Sequence, residues 1–447
     1  MMEAGPSAPS HSSYLPASLL HPLSNSLVLD QIVAYLPVSS LLALGATSKS
    51  FKDLVHRTPN VFRHLDLSNV KSAQFDIANI DNGGEVWRNV QLDENVTEDD
   101  FYGGPLLYIF NTLRKRHILQ DVQTLILDGL SVTSDLISDI ITQDHFNVRI
   151  LSIREVQNLH PRKLQQALRY SVRPSRPAGT PKLKGLYFFG SKDTTPLPRS
   201  DRSISCTDTT PSHGVLVHSQ GAQIGAQWNQ KSGDTLAEEM AHSGDKWYST
   251  GRVLAKSPTT DWDNTILACQ GIISFDVVLC HGPRHSLLPS SERSGPWYQK
   301  PRYHLTPRVA THSIGGCFNC GRAPEGMSRF GSSPLERFPM LAPPPLHSST
   351  AKAAKAPFMA SGGKLLLRCI DCLRNRFCES CNKWWCEDCY EIPEPGQGAG
   401  SPHQWGNGGP SIGGHPEKHL KVHMGLCVDN CLVAEMMPGA GSNGMWG

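Results

Sequence analysis

The stretch that decides the N-terminal fold is LVLDQIVAYLPVSSLLALGATSKSFKDLVHRTPNVFRHLDLS, which spans Leu27–Ser68. Val28, Ile32 and Leu36 recur at the spacing of one helix face, so they predict an amphipathic helix. Pro37 lacks a backbone donor, and the first helix is therefore predicted to end there.

Two more short helices are predicted within the same stretch. Ser40 is placed to cap the second helix, and Gly45 is predicted to end it. Ser48 is placed to cap a third helix, in which Phe51 and Val55 fall on one face. Three helices in about 35 residues cannot bury all of their apolar faces among themselves. Part of that apolar surface is therefore expected to meet a partner.

This stretch resembles the F-box, the adaptor-docking motif of SCF-type ubiquitin ligases. The resemblance rests on the I-x-x-Y-L-P step at Ile32–Pro37, the S-L-L step at Ser40–Leu42, the S-K-x-F step at Ser48–Phe51 and the closing P-x-x-F-R-x-L at Pro59–Leu65. The family usually opens with Leu-Pro eight residues before the isoleucine, where this chain has Ser24-Asn25. The alternative is an ordinary three-helix piece of a larger domain.

The resemblance to the F-box implies a partner and a docking patch. An SCF adaptor would bind an apolar patch of these helices and link the chain to a cullin. The residues expected to form that patch are Leu27, Val28, Ile32, Leu36, Pro37, Leu41 and Leu42.

A pattern of apolar-x-x-apolar-x-apolar follows the helical stretch five times, beginning at Phe62, Trp87, Val122, Val148 and Leu183. The copies begin 25 to 35 residues apart, and helical stretches lie between them, one of which starts at Pro161. Strand–helix units of this length resemble leucine-rich repeats, whose strands line a concave binding surface. The alternative is an unrelated α/β domain with right-handed crossovers.

Four Cys-x-x-Cys pairs mark the C-terminal half, and they are Cys317/Cys320, Cys369/Cys372, Cys378/Cys381 and Cys386/Cys389. This spacing lets two thiolates bind one tetrahedral ion from a single tight turn. Eight thiolates predict two closed, structural four-thiolate zinc sites, and an iron–sulfur cluster is the competing interpretation. We expect the first pair to combine with the third and the second pair with the fourth.

The region after these pairs carries four more possible ligands at intervals of four residues, namely His419, His423, Cys427 and Cys431. On the predicted helix 416–435 they would share one face. Two of them would complete a third zinc site, or the thiols would be buried apolar residues. The lone Cys206, Cys269 and Cys280 are interpreted as ordinary thiols, and His312 as an ordinary histidine.

Composition and charge limit the class of protein. The formal net charge of +2 gives no electrostatic footprint of a nucleic-acid binder, so no nucleic-acid partner is expected. The N-terminus lacks the features of a secretory signal, and no apolar run reaches the roughly 18 residues that span a membrane. Thirteen cysteines in a chain without a secretory signal favour metal ligation in the cytoplasm and/or nucleus.

The sequence predicts a multidomain α+β chain in which folded segments alternate with connectors, since 39 glycines and 33 prolines accompany only 39% apolar residues. The predicted segments are a disordered 1–18, F-box-like helices at 19–60, a leucine-rich-repeat-like region at 61–190, a linker at 191–246, a further repeat-like segment at 247–310, a zinc module at 311–390 with an inserted linker at about 330–363, a linker at 391–415 and a helix at 416–435.

These features predict a non-catalytic substrate receptor of an SCF-type ubiquitin ligase. The helices would dock the adaptor, and the repeats with the zinc module would hold an unknown protein substrate. The sequence carries no Walker loop, G-x-S-x-G or H-E-x-x-H motif. One alternative is a zinc-dependent protein- or nucleic-acid-interaction protein unconnected to a ligase. Another is a self-contained zinc ligase, which the absence of RING spacing disfavours.

Overall fold

The computed structural model describes residues 19–74, 98–192, 251–254, 257–285, 307–341, 343–355, 364–392 and 420–436. The chain forms two compact units. Unit 1 comprises residues 1–161 with 344–349, and unit 2 comprises 162–343 with 350–447. Helices and sheets occur in both units, so the α+β class predicted from the sequence is confirmed. No helix within the described ranges is long and apolar enough to span a membrane.

Unit 1 begins with four helices, which are α1 (Leu20–Leu23), α2 (Ser26–Val33), α3 (Val38–Thr47) and α4 (Lys49–Arg57). The side chain of Asn25 caps α2 by accepting a hydrogen bond from the backbone N–H of Leu27 at 3.0 Å. Ser48 caps α4, as predicted, by accepting from the N–H of Phe51 at 3.2 Å. These caps satisfy backbone donors that a helix start leaves free.

The predicted limits of α3 were wrong at both ends. The helix begins at Val38, directly after Pro37, and Ser40 lies inside it. It also continues through Gly45, whose position is buried against α4. A side chain at Gly45 would meet Val55 Cβ at 3.9 Å, which is ordinary contact distance. Packing of α3 on α4 therefore outweighs the weak helix propensity of glycine.

The other described residues of unit 1 form three parallel strands with helices between them. Its elements are β1 (His64–Asp66), a 3-10 turn (Lys71–Ala73), α5 (Glu98–Lys115), β2 (Thr124–Ile126), α6 (Ser134–Thr142) and β3 (Ile150–Ser152). Leu65, Leu125 and Leu151 lie side by side in register and are buried. The buried side chains of these parallel strands thus form part of the core of unit 1.

Unit 2 contains the remaining elements, the first of which starts at the unit boundary. They are α7 (Pro161–Ser171), β4 (Gly185–Tyr187), β5 (Gly251–Arg252), α8 (Thr260–Cys269), β6 (Ser274–Phe275), β7 (His312–Ile314), β8 (Ser328–Arg329), a 3-10 turn (Leu335–Arg337), α9 (Ala351–Lys355), β9 (Lys364–Arg368), α10 (Ile370–Leu373), β10 (Val422–His423), β11 (Leu426–Cys427), a π-helical turn (Val428–Leu432) and α11 (Val433–Met436). Strand β4 pairs with β6 in parallel. Strands β5, β7, β9 and β8 form an antiparallel sheet in that order.

Four of the five predicted strand positions coincide with strands, namely β1, β2, β3 and β4. The copy that begins at Trp87 lies outside the described residues. Helix α7 begins at Pro161, as the sequence indicates. Classification of these units as leucine-rich repeats stays a prediction. The predicted connectors 1–18, 191–246 and 391–415 also lie outside the described residues, apart from 191–192 and 391–392.

The stretch 330–363, predicted as an inserted linker, is packed into the fold over most of its described length. Phe338, Met340 and Ala354 are buried, and the N–H of Met340 donates to the carbonyl of Phe275 at 2.9 Å. Its proline-rich composition suggested a connector, but a few apolar side chains are enough to anchor it.

Of the predicted C-terminal helix 416–435, the described part starts as a hairpin at 422–427 and is helical only from Val428 onward. Residues Val422 and Cys427 pair across β10 and β11, and Met424 and Gly425 turn the chain with positive φ angles of 47° and 82°. Two residues with positive φ are the geometry of a tight hairpin turn. Because the helical segment begins only at Val428, the four candidate ligands do not share one helix face.

Candidate docking surface and metal centres

Helix α2 is apolar on two sides. Leu29 and Val33 face the core of unit 1, where Leu29 is only 2% exposed. On the outer side, Leu27 is 75% exposed, and Val28 and Ile32 are also open to solvent. We call Leu27, Val28 and Ile32 the α2 surface. A helix that is apolar on both its inner and its outer side leaves exposed apolar surface that a partner can bury.

The other predicted docking residues divide by burial. Pro37 is exposed, while Leu36 and Leu42 are half-buried. Leu41 is 2% exposed, so it packs in the helical core and does not contribute open surface. Tyr35 was not among the predicted docking residues, yet its side chain is exposed next to the α2 surface.

A segment from far along the chain packs beside these helices in unit 1. The Arg63 guanidinium donates to the carbonyls of Leu346 and His347, each at 2.9 Å. The hydroxyl of Tyr35 lies 3.1 Å from Nε2 of His347, and the two rings meet edge to face. This contact of residues 312 positions apart could not be predicted from local sequence.

Among its described residues, unit 2 brings together three groups of four possible metal ligands, and within each group the ligand atoms lie within 4.8 Å of one another. We call Cys280, His285, Cys369 and Cys372 the histidine tetrad. Cys317, Cys320, Cys386 and Cys389 form the first thiol tetrad, and Cys378, Cys381, Cys427 and Cys431 form the second thiol tetrad.

Each tetrad contains atoms at the spacing of a tetrahedral site. The Sγ–Sγ distances are 3.7 Å between Cys320 and Cys386 and 3.8 Å between Cys381 and Cys427. Two thiolates on one tetrahedral zinc ion, each with a Zn–S bond of about 2.3 Å, lie about 3.8 Å apart. A disulfide would require about 2.05 Å, and these cysteines are free. The donor sets therefore fit zinc.

Local turns present the thiols of two Cys-x-x-Cys pairs from knuckle-shaped loops. The N–H of Gly321 donates to the carbonyl of Cys317 at 2.7 Å, and that of Asn382 to Cys378 at 2.9 Å. Gly321 and Asn382 both have positive φ, which glycine and asparagine adopt most readily. Their identity directly after the second cysteine of each pair was a readable signal in the sequence.

Helical turns present the other two pairs. The N–H of Leu373 donates to the carbonyl of Cys369 at 3.3 Å, and that of Tyr390 to Cys386 at 3.0 Å. In the first thiol tetrad, the N–H of Cys386 also donates to Sγ of Cys317 at 3.2 Å. Each thiol tetrad thus combines a knuckle with a helical turn, because the second one takes Cys427 and Cys431 from the π-helical turn and its start.

Crowding of the sulfurs affects their ionisation. Burial raises the pKa of the Cys381 thiol to about 12, and the sulfurs of Cys378 and Cys431 act in the same direction. Burial also opposes ionisation of Cys378, but the backbone N–H groups of Cys381 and Cys427 outweigh it and lower the Cys378 pKa to about 6. Four neighbouring thiolates repel one another, so a central divalent cation would favour full deprotonation.

In a comparison with known protein families, residues 25–63 match the model of the F-box domain. The chain carries an F-box domain. The matched range covers α2, α3 and α4, and the predicted resemblance is confirmed. No curated protein and no solved structure shows significant similarity to the chain. An F-box domain indicates an adaptor-binding role in an SCF-type ubiquitin ligase.

The expected combination of cysteine pairs was wrong. The first pair meets the fourth rather than the third, so the second pair does not meet the fourth either. The second and third pairs each combine with residues outside the four pairs, and the eight thiols divide among three groups instead of two. A short hairpin between Phe377 and Trp384 turns the chain back, and the N–H of Phe318 then donates to the carbonyl of Trp384 at 2.8 Å. This long-range pairing brings Cys386 to the first knuckle.

The interpretation of several single residues also changes or stays open. Cys280 was interpreted as an ordinary thiol, but the histidine tetrad includes it. His285 was not singled out, although its spacing from Cys280 was a weak signal. His423 is exposed and belongs to no tetrad among the described residues. His419 and Cys206 lie outside the described residues.

Proposed function

We propose that the chain is a substrate receptor of an SCF-type ubiquitin ligase. Its F-box domain would dock the adaptor, and the adaptor would connect it to a cullin. The α2 surface carries this proposal, because it leaves apolar side chains open on a helix whose opposite face is already buried. F-box proteins are typically non-catalytic adaptors, so ubiquitin transfer would belong to other subunits.

Covering the α2 surface supplies energy for docking. Burying a fully exposed leucine or isoleucine side chain contributes about 1.5 to 3 kcal/mol, and Leu27 and Ile32 still expose 75% and 39% of their surface. Leu27 and Ile32 are therefore the residues whose loss would weaken adaptor binding most. Leu41 supports the same helices from inside, and its replacement by a charged residue would unfold the domain rather than test docking.

We further propose that each thiol tetrad holds one zinc ion. The Sγ–Sγ distances and the all-thiol donor sets support this proposal. Zinc would act there as a structural staple that contributes folding energy, since four protein ligands leave no coordination place for a substrate. The strand–helix region and this stapled part would each offer surface to the target protein.

Affinity purification from cells tests the docking proposal. The tagged chain is expected to recover adaptor and cullin together, as judged by mass spectrometry. The double variant Leu27→Asp, Ile32→Asp should reduce recovery of both about tenfold or more, because it removes well over 1.4 kcal/mol of apolar burial. Tyr108→Asp is the matched control, since Tyr108 is an exposed apolar residue of α5 outside the F-box domain.

Recovery of neither subunit by a folded wild-type chain would refute the receptor proposal. A zinc-dependent interaction protein is then the candidate that remains, and the tetrads of unit 2 are the observation that favours it. Equal loss in the Tyr108→Asp control would show that a general surface change, rather than the α2 surface, controls recovery.

A further inference from the structure

The histidine tetrad differs from the two thiol tetrads in its ligands and in its position in unit 2. One half of it, Cys280 and His285, follows β6 and precedes the Cys-x-x-Cys pairs. The other half, Cys369 and Cys372, follows β9. All four residues are buried, whereas each thiol tetrad includes ligands that are only partly buried or exposed.

We propose that the histidine tetrad is a third metal site, which binds one zinc ion through three thiolates and one imidazole. This site would fasten the β4–β6 part of unit 2 to its cysteine-rich part. The Sγ atoms of Cys280 and Cys372 lie 3.7 Å apart, close to the tetrahedral spacing of about 3.8 Å. Nε2 of His285 lies 3.0 Å from Sγ of Cys369. The proposal does not depend on adaptor docking.

Paired backbone holds both halves of the site in place. The N–H of Cys280 donates to the carbonyl of Arg308 at 2.7 Å, and the N–H of Ala310 donates to Val278 at 2.8 Å. On the other side, the N–H of Thr311 donates to the carbonyl of Arg368, which directly precedes Cys369. The extended segment 308–311, which leads into β7, therefore forms backbone hydrogen bonds next to both ligand pairs and links them.

The loop between Cys280 and His285 is shaped around the sulfurs. The N–H of Gly282 donates to Sγ of Cys280 at 3.3 Å. A Cβ atom at Gly282 would lie 2.5 Å from Sγ of Cys372, which is too close for any side chain. The N–H of His285 donates to the carbonyl of Gly282 at 3.0 Å, and this turn directs the imidazole back to the thiols.

Charged residues around the site orient its ligands without joining them. The carboxylate of Asp371, between Cys369 and Cys372, forms an ion pair with Arg308 at 2.9 Å. Arg284 donates to the backbone carbonyl of Asp371 at 2.5 Å and pairs with Glu387 at 3.1 Å. Asp371 is thus held away from the thiols, and the ligand set stays at three sulfurs and one nitrogen. Partners of this kind commonly fix metal ligands.

The order of ligands along the chain interlocks the three sites. The pair Cys369/Cys372 falls between the two halves of the first thiol tetrad, and the pair Cys378/Cys381 falls there as well. Each ion would therefore close a loop that contains ligands of another site. Occupancy of the histidine tetrad would consequently protect the rest of unit 2 against opening.

Native mass spectrometry of the purified full-length chain tests the number of sites. We expect three zinc ions per chain in the wild type and two in Cys280→Ala. The matched control is Cys269→Ala, because Cys269 is also a buried thiol but belongs to no tetrad among the described residues. The control should keep three ions. Two ions in the wild type, or three in Cys280→Ala, would overturn the proposal.

Cadmium-113 NMR tests the ligand set and remains informative if Cys280→Ala fails to fold. With cadmium in place of zinc, the wild type should give three signals, one of them shifted away from the two all-thiolate signals. In His285→Cys that signal should move into the all-thiolate range while the count stays at three. Three unchanged signals in His285→Cys would show that His285 is not a ligand.

Discussion

His312 illustrates how burial of a single residue makes stability depend on pH. It lies in β7 with 3% of its surface exposed, and burial, with the nearby charge of Arg252, lowers its pKa from 6.5 to about 4. Between these values the unfolded chain binds a proton that the folded chain does not bind. Folding stability therefore rises with pH across this window and is lost as the pH falls from 6.5 to 4.

The predicted effect of His312 is about 3 kcal/mol of unfolding free energy between pH 6.5 and 4. In His312→Gln this part of the pH dependence should disappear. Hydrogen exchange of the peptide that covers β7, measured in both proteins across the pH range, checks the prediction. Acid would release the proposed zinc ions from both proteins alike, so the test compares the two pH profiles with each other. Identical pH profiles would contradict it.

Gly282 provides a second prediction for one residue. Gly282→Ala should lower the unfolding free energy of unit 2 by about 1 to 3 kcal/mol, because its Cβ would overlap Sγ of Cys372. Gly315→Ala is the control, since a Cβ at Gly315 meets nothing within 4 Å. Urea unfolding of both variants decides the matter. Equal midpoints would show that the loop around Cys280 has room to move.

Single residues also show the limit of sequence patterns. Leu27 and Leu29 are two positions apart and chemically identical, yet the first is 75% exposed and the second 2%. The apolar spacing predicted a helix correctly but did not say which face meets the rest of the protein. Leu41 was assigned to the docking patch for the same reason, because its burial depends on how α3 packs.

At the level of elements, a buried ion pair joins the loops that follow β2 and β3. Oδ2 of Asp128 accepts hydrogen bonds from Nη2 and Nε of Arg154 at 2.6 and 3.0 Å. Asp128 also accepts from the hydroxyl of Ser152 at 2.7 Å. Because both charges are buried, Asp128→Ala should cost about 3 to 5 kcal/mol of unfolding free energy.

A double variant distinguishes loss of the pair from general disruption. Asp128→Leu, Arg154→Met removes both buried charges and should recover part of the stability lost in Asp128→Ala. Thermal unfolding of the two variants and the wild type makes the comparison. If the double variant is less stable than Asp128→Ala, the uncompensated charge of Arg154 is not the source of the loss.

The elements divide into those that local sequence predicts and those that it does not. Strands β1 to β4 and the start of α7 follow from apolar spacing and proline, which act over a few residues. The hairpin at β10 and β11 was predicted as a helix, since His423, Cys427 and Cys431 repeat at helical spacing. The tight turn at Met424-Gly425 reverses the chain direction, so these residues do not lie on one helix.

At the scale of the whole molecule, the F-box domain lies in unit 1 and all three tetrads lie in unit 2. Removal of metal by a strong chelator should therefore open unit 2 and leave adaptor binding intact. Limited proteolysis reports the first effect, and pull-down with purified adaptor reports the second. If chelation abolished adaptor binding, the F-box domain would depend on the state of unit 2.

Which cysteines combine into one group depends on contacts between distant parts of the chain, and the sequence alone does not show those contacts. Four Cys-x-x-Cys pairs predict metal sites, but their combination depends on the hairpin at Phe377–Trp384 and on the fold that brings Cys280 beside Cys372. Ligands 92 residues apart leave no local signal of their pairing. The F-box domain, in contrast, is a contiguous stretch and could be recognised from its motif alone.

Direct binding of the purified chain to a purified SCF adaptor bears most closely on the proposed role of the F-box domain. Isothermal titration calorimetry is expected to show one adaptor per chain with a Kd of about 1 μM or tighter, equivalent to about −8 kcal/mol. The variant Leu27→Asp, Ile32→Asp should bind about tenfold or more weakly, while Tyr108→Asp should bind like the wild type. A folded wild-type chain that shows no binding at about 100 μM adaptor would contradict the docking role.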